Sequence, residues 1–509
     1  MKLLKKAGIR ILTVLLVILG EFFLILAIID SAERYNRWLY ILLVVLLVCT
    51  HIGCLFRLAL KDEDAESKLP WFLVLISVPY IGPIVYLTFS TKPIRKKERE
   101  ILRESEEKSA PFLPYNEQQV YIDTFMYARY FNYLRKMTNQ TATKGNQIRY
   151  FKNGETFFPE LYKALEEANE FIFFEFFIID RGEVWDTIHE ILKRKAAEGV
   201  EVRLLMDDVG CAGCLPEHYY KTLREEGILA YKFNKFSPIL TGLYNNRDHR
   251  KIVVVDHNYA FTGGANIADE YANKIERFGY WKDTMIELQG PGINNFISIF
   301  LSAYDLASKQ SSDYSKYMDY EYPTFDDEGY ALMFGDNGGP YDYLQVGTRN
   351  YLNMINGAHR NIFISTPYLI PPERIVDALC SAVARGVDVH LIIPGIPDKK
   401  TVYLVGQLIV EKLVHSGVHV HRYLPGFNHM KTCIADGEVA FVGSINLDYR
   451  SLLHHFECGV LMCNVMCLKD ITEDFSEMIS ASREYDVDFK LKGFRRFIAK
   501  IMKIFTPLL

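Results

Sequence analysis

The sequence predicts an α/β protein whose layered body consists of two copies of one unit behind an N-terminal transmembrane region. Three observations carry this expectation. Apolar runs long enough to cross a bilayer crowd into the first 90 residues, and none occurs from about Glu117 onward. Beyond that point, short runs rich in β-branched residues alternate with amphipathic stretches, as in a layered α/β domain. One polar segment of this body also recurs 180 positions downstream in the same register.

Composition sets the outer limits. A chain of 509 residues suggests about three units at roughly 150 residues each. Lys and Arg number 58 against 63 Asp and Glu, so a broadly basic nucleic-acid surface is excluded and no nucleic-acid partner is expected. Any polyanion site must be local. The nine cysteines are odd in number, with Cys49 and Cys54 inside apolar runs, so reduced thiols are expected rather than a disulfide framework.

The apolar runs span 9–29, 38–60 and 71–89, each about long enough for a hydrocarbon core of roughly 30 Å. Lys2, Lys5, Lys6 and Arg10 precede the first, as in a signal peptide. A second long run begins within ten residues with no clear small-residue cleavage site between them, which favours a retained anchor. Pro79, Gly82 and Pro83 interrupt the third, which reads as a kinked span or a re-entrant turn. Lys92, Arg95, Lys96, Lys97, Arg99 and Arg103 then place the α/β body on the cytoplasmic side. The N-terminal lysines favour the same side. Three complete spans cannot satisfy both flanks, so either one run fails to cross or the amino terminus lies outside.

The expected organisation is a membrane-anchoring region over 1–90, a charged linker over 91–116, α/β domains over 117–325 and 326–488, and a basic amphipathic tail over 489–509. In the first copy, 171–174 reads as a buried strand, 184–197 as a helix and 200–206 as the next strand. The same order returns at 362–364, 375–384 and 387–393. In the tail, Phe494, Phe497, Ile498, Ile501 and Phe505 share one helical face among basic residues. That pattern suits an interfacial helix on anionic lipid or a helix capping the body.

The repeat is sharpest where chemistry belongs. His249, Lys251, Asp256, Gly263 and Asn266 return as His429, Lys431, Asp436, Gly443 and Asn446, every one offset by 180 positions. Side chains two apart on a strand share a face, so each copy sets an imidazole beside an ammonium. Imidazole serves as nucleophile or proton donor near neutral pH, while ammonium and amide groups stabilise negative oxygens without a metal. The set suits a phosphodiester. If the copies face each other, one histidine attacks phosphorus and the other protonates the leaving alkoxide.

Further segments accompany the motifs: Asn246-Arg247-Asp248-His249-Arg250-Lys251, Phe278-Gly279-Tyr280-Trp281-Lys282-Asp283-Thr284, Gly443-Ser444-Ile445-Asn446-Leu447-Asp448 and Phe456-Glu457. Together they resemble the paired HKD signature of the phospholipase D superfamily, in its bacterial cardiolipin synthase branch. The resemblance covers nearly the whole chain. It implies two pseudo-symmetric α/β/α sandwiches sharing one site in a multi-pass protein of the bacterial cytoplasmic membrane, with the catalytic domains facing the cytoplasm. It also implies a phosphatidyl-histidine intermediate and transfer of the phosphatidyl group between two phosphatidylglycerol molecules, releasing glycerol, with no cofactor and no metal. By analogy, His249 is the nucleophile and His429 the general acid and base. Lys251, Lys431, Asn266 and Asn446 would hold phosphate oxygens, and Ser444, standing where the first copy has Gly264, would add a hydroxyl on one side. Asp283 and Glu457 would accept the distal imidazole protons and fix the tautomers. Asp256 and Asp436 belong to the motif but lie seven positions past their histidines, which favours a structural or orienting role.

Other readings remain: a hydrolytic phospholipase D, a nuclease using the same chemistry, or a scaffold that has lost catalysis. Cys211 and Cys214 read as a plain loop, and His419 and His421 as imidazoles satisfied by a polar neighbour or solvent. His454 and His455 read as a turn end or a headgroup contact. A reporter fused after Arg103 is expected to be cytoplasmic; an external reporter would refute the orientation.

Overall fold

The computed structural model describes residues 19, 22–23, 26–30, 33–78, 81–90, 95–124, 126–235, 246–337 and 345–508. The first apolar run therefore lies mostly outside the described residues. The chain divides into two compact units, one comprising Met1–Pro93, Phe236–Asn245 and Ile501–Leu509, the other Ile94–Lys235 and Asn246–Lys500.

In the N-terminal unit, Asn36 caps a helix over Arg37–Leu60 by accepting from the amides of Trp38 and Leu39, each at 3.1 Å. Its 24 residues make it the one described helix long and apolar enough to cross a membrane. The third apolar run is broken into Ala65–Ser77 and Gly82–Phe89, 13 and 8 residues long, too short to cross individually. Gly82 explains the break: a Cβ there would meet the carbonyl oxygen of Val74 at 2.9 Å and Cα of Leu75 at 3.0 Å. Only glycine lets the second helix start against the end of the first, and Pro83 in its first turn needs no amide partner. Trp71 and Tyr86 meet edge to face at 5.6 Å over a small core with Cys54, Leu58 and Leu75.

The second unit contains the duplicated α/β body. In the first copy, Phe171–Phe176, Glu201–Asp207 and Leu229–Phe233 run parallel. Lys251–Val255 joins antiparallel, followed by Tyr259–Gly263, Met285–Gln289 and Gln147–Phe151. The second copy repeats this order with Asn361–Ser365, Asp388–Pro394, His419–Tyr423, Thr432–Ala435, Val439–Gly443, Phe456–Cys463 and Tyr330–Asn337. It gains Thr143–Lys144 and Ser482–Glu484 at its edges. The central strands are buried on both faces, which explains their unbroken apolar runs.

Helices Gly154–Glu166 and Glu183–Ala197 cover one face of the first sheet through Phe157, Leu161, Ile188 and Leu192. The other face shares a single core with the second sheet: Phe173, Ile252, Val254 and Ile286 pack in one cluster with Met430, Ile434, Val442 and Val460. The halves are thus joined through their interiors.

Two boundaries differ from the sequence expectation. The charged stretch over 91–116 is no loose linker. It forms the helix Lys96–Ser109, packed against Ile293–Ser308 with Leu102 in the shared core. Residues 117–144 belong with the second sheet, not the first: Thr143 and Lys144 pair with Ala331 and Tyr330, and the Tyr127 hydroxyl donates to Glu438 at 2.9 Å.

One buried charge cluster ties the halves. Lys282 Nζ lies 2.7 Å from both oxygens of Asp474 on Leu468–Ser480, and the Tyr150 hydroxyl donates to the same carboxylate at 2.7 Å. Asp474→Ala leaves Lys282 buried and unpaired, with an expected loss of about 3–5 kcal/mol. Denaturation of the purified protein in detergent measures it; a loss below about 1 kcal/mol would contradict this role.

Candidate active site

The backbone of each histidine segment is strapped to the opposite half. The His249 amide donates to the carbonyl of Phe456 at 2.8 Å, and the Phe456 amide returns to Arg247 at 2.8 Å. The His429 amide donates to the carbonyl of Lys282 at 2.7 Å, continuing a parallel pairing between Gly426–Asn428 and Tyr280–Lys282. Neither histidine lies on its strand as the spacing suggests: Lys251 opens one strand, and Thr432 opens the other just after Lys431. The ammonium still lies beside its histidine, because Lys251 and Lys431 donate to the carbonyls of His249 and His429.

This crossing determines the carboxylate partners. His249 Nδ1 is 2.9 Å from both oxygens of Glu457, in the second half. His429 Nδ1 is 2.6 Å from Asp283 Oδ2, in the first. A carboxylate at Nδ1 accepts the hydrogen bond of its N–H and leaves Nε2, on the opposite edge of the ring, as the unprotonated nitrogen, although at His429 the Lys431 ammonium also lies 2.8 Å from Nδ1. Ser444 donates to Glu457 and accepts from the Cys458 amide at 3.0 Å, so its hydroxyl braces the carboxylate. This differs from the expected phosphate contact. The mismatch with Gly264 has a steric cause: a Cβ at 264 would lie 2.1 Å from Asp283 Oδ1. The shorter Asp283 occupies the space that Ser444 fills beside the longer Glu457.

The remaining motif residues separate into two groups. Asp256 and Asp436 stand at the far ends of their strands with φ of 48° and 57°. Asp256 accepts from the amides of Asn169, Glu170 and Phe171 at 2.7–2.9 Å. Asp436 accepts from those of His359, Arg360 and Asn361 at 2.7–3.3 Å. Both carboxylates are spent on backbone, which corrects their grouping with the catalytic set and agrees with the structural reading. Asn266 accepts from the Ile178 amide at 3.2 Å and donates to the Tyr271 hydroxyl at 2.8 Å. The carboxamide oxygen of Asn446 is buried without a hydrogen-bond partner among the described residues.

The site is buried, with two lysines set among the two histidines and their carboxylates. Burial, then the charges of Lys251, Lys431 and His429, hold His249 well below the ordinary histidine value. Burial and Lys431 take His429 down to about 4 against the opposing pull of Asp283. Burial also lowers Lys251 to about 8 and Lys431 to about 7. Phe177 meets His249 edge-on at 4.9 Å, and Trp281 and Tyr271 lie 5.4 and 5.5 Å from His429.

Comparisons with known proteins match this geometry. A family described as "Cardiolipin synthase, PLD-like domain" matches residues 161–277 and 351–479, and "Phospholipase_D-nuclease N-terminal" matches 51–90. The cardiolipin synthase of Geobacillus thermodenitrificans is 30% identical over 473 residues, covering 91% of this chain and 93% of that protein. The chain belongs to the cardiolipin synthase family of the phospholipase D superfamily. An uncharacterized protein of Streptococcus mutans is 38% identical over 464 residues, covering 90% of this chain and 100% of that one. The crystal structure of phosphatidylserine synthase from Haemophilus influenzae shares the fold, with a TM-score of 0.56 at 14% identity over 75% of this chain and 98% of that one. Membership in the cardiolipin synthase family makes this a phospholipase D-type phospholipid enzyme, and the N-terminal match and Arg37–Leu60 helix fit a membrane-bound protein.

Two further residues border this cardiolipin synthase family site: His455, read from sequence as a turn end or a headgroup contact, and Lys399, which the sequence reading missed. His455 faces Glu457 Oε1 from 3.5 Å, its ring 5.4 Å from that of His249, and Arg450 Nε donates to its Nε2 at 3.4 Å. Its position two before Glu457 was the available signal. Lys399, which sits 4.2 Å over the Tyr368 ring and lowers His249, arrives from a loop with no motif. Ligand-type atoms of His249, His455 and Glu457 lie within 4.8 Å of one another, yet Glu457 is already engaged by His249 and Ser444. Cys211 and Cys214 are unpaired thiols raised by burial, as a plain loop requires. His419 pairs with Glu484 at 2.6 Å and His421 with His390 at 2.9 Å, so polar neighbours satisfy both.

Because folding holds His429 neutral, the unfolded chain binds the extra proton between its ordinary value of 6.5 and about 4. Acidification through that window therefore destabilises the protein, by at most about 3 kcal/mol from this residue. Unfolding measured against pH is expected to show a shallower acid loss for His429→Gln; an unchanged slope would contradict the shift.

Proposed function

We propose that the protein transfers a phosphatidyl group from one phosphatidylglycerol to the hydroxyl of a second, forming cardiolipin and glycerol at the cytoplasmic face of the membrane. The observation carrying this reading is the crossed pair of imidazoles, each tied at Nδ1 to a carboxylate of the other half, beside two buried lysines. His249 Nε2 attacks phosphorus and the bond to the glycerol headgroup oxygen breaks. His429, protonated at Nε2, gives its proton to that oxygen. In the second step the primary hydroxyl of the acceptor lipid attacks phosphorus, His429 takes its proton, and the P–N bond to His249 breaks.

The phosphate anion offsets the charges of Lys251 and Lys431, which otherwise depress His429. His429 can therefore be neutral in the empty site and carry a proton when substrate is bound. The buried oxygen of Asn446 accepts from a lipid hydroxyl, and the two ammonium groups hold the non-bridging phosphate oxygens.

Purified enzyme supplied with phosphatidylglycerol is expected to yield equimolar cardiolipin and glycerol; phosphatidic acid without cardiolipin would establish hydrolysis instead. His249→Ala and His429→Ala should each lower turnover at least about 10³-fold, because one shared site needs both. Half-activity in each single variant would mean two separate sites. Mass spectrometry of a reaction quenched in denaturant at neutral pH, where the P–N bond survives, should find the phosphatidyl adduct on His249, and an adduct on His429 would reverse the assignment.

A further inference from the structure

The helix Gly493–Ile504 turns its apolar stripe away from the protein. Phe494, Phe497 and Ile501 share one face at helical spacing and are 75%, 58% and 42% exposed. Its opposite side is held inward: Ala499 is fully buried, and Arg496 donates to both Glu411 oxygens at 2.6 and 2.7 Å. The Leu491 amide secures the same carboxylate at 3.1 Å. A helix packed on a soluble domain buries its apolar stripe; here an ion-paired clasp directs that stripe outward.

The surroundings of the stripe identify its occupant. Lys492, Arg495 and Lys500 are exposed, and residues 489–509 contain no Asp or Glu. At the next turn, Thr506–Leu508 packs against Ala65–Ser77 of the N-terminal apolar unit, with Thr506 and Pro507 buried. We propose that Gly493–Ile504 lies in the surface of an anionic lipid bilayer, with Phe494, Phe497 and Ile501 among the acyl chains and Lys492, Arg495 and Lys500 at the headgroups. Apolar burial supplies the insertion and the basic flank selects anionic lipid. This surface is independent of the reaction proposed above, since it contains none of the catalytic residues.

The test uses the full chain with Phe497→Trp, reconstituted into vesicles of phosphatidylcholine alone or mixed with phosphatidylserine, each with or without acyl-brominated phosphatidylcholine. The fluorescence of the unsubstituted protein is subtracted. In mixed vesicles the added emission is expected to shift to the blue and be quenched by bromine. Changing Lys492, Arg495 and Lys500 together to Gln should return quenching to the level seen in phosphatidylcholine alone, and high salt should do the same. Emission at the wavelength of a water-exposed indole with no bromine quenching would overturn the proposal. So would shielding from acrylamide without bromine quenching, which would place protein rather than lipid on the face. Phe497→Trp is conservative at an exposed position, and unchanged thermal unfolding verifies that the chain remains folded.

Discussion

The crossed imidazole–carboxylate pairing is the constraint on which the body depends. His249 takes its orienting carboxylate from Glu457 and His429 takes its own from Asp283, so neither half contains a complete pair. An isolated half would have an imidazole without the group that fixes its tautomer, and a buried carboxylate without its donor. Both are unfavourable in a dry interior. The shared core, the parallel pairing of Tyr280–Lys282 with Gly426–Asn428, and the Lys282–Asp474 pair hold the halves in register. Duplication has tied the copies together because each imidazole finds its carboxylate in the other copy.

That site is electrostatically unfavourable when empty. Two imidazoles and two lysines share a buried volume with two carboxylates, and burial lowers both lysines despite those neighbours. The apolar interior around Ile252, Val254, Ile434 and Val442 holds the arrangement in place. In the proposed reaction an entering phosphate would meet the two ammonium groups and relieve part of this strain, so the arrangement that weakens the fold would favour an anion there.

Much of this was legible because it is local. Unbroken apolar runs marked Phe171–Phe176 and Asp388–Pro394, and a constant offset aligned the two motifs. The histidine-orienting carboxylates were also legible as residue types, but which carboxylate served which histidine was not. Spacing along a chain does not say which half docks on which. Ser444 was misread for the same reason: its role depends on the length of Glu457 across the strand, as that of Gly264 depends on Asp283. The helix Lys96–Ser109 escaped notice because its high charge outweighs the narrow buried stripe of Leu102, Ser105 and Ser109. Asp256 and Asp436 were ambiguous until their three-amide cradles became visible.

The two halves are related but chemically unequal, and the inequality fits the roles proposed for them. Glu457 receives His249 and Ser444 and faces His455, so its negative charge is divided among several donors. Asp283 accepts from the neighbouring Thr284 amide at 2.9 Å and holds His429 at 2.6 Å, where the Lys431 ammonium, which Asp283 also attracts, lies 2.8 Å from the same Nδ1. A carboxylate shared among donors stabilises an imidazolium less than one concentrated on a single ring. His249 is on this account the ring better kept neutral, and the reaction proposed above asks His429 to carry the proton against the opposing charge of Lys431.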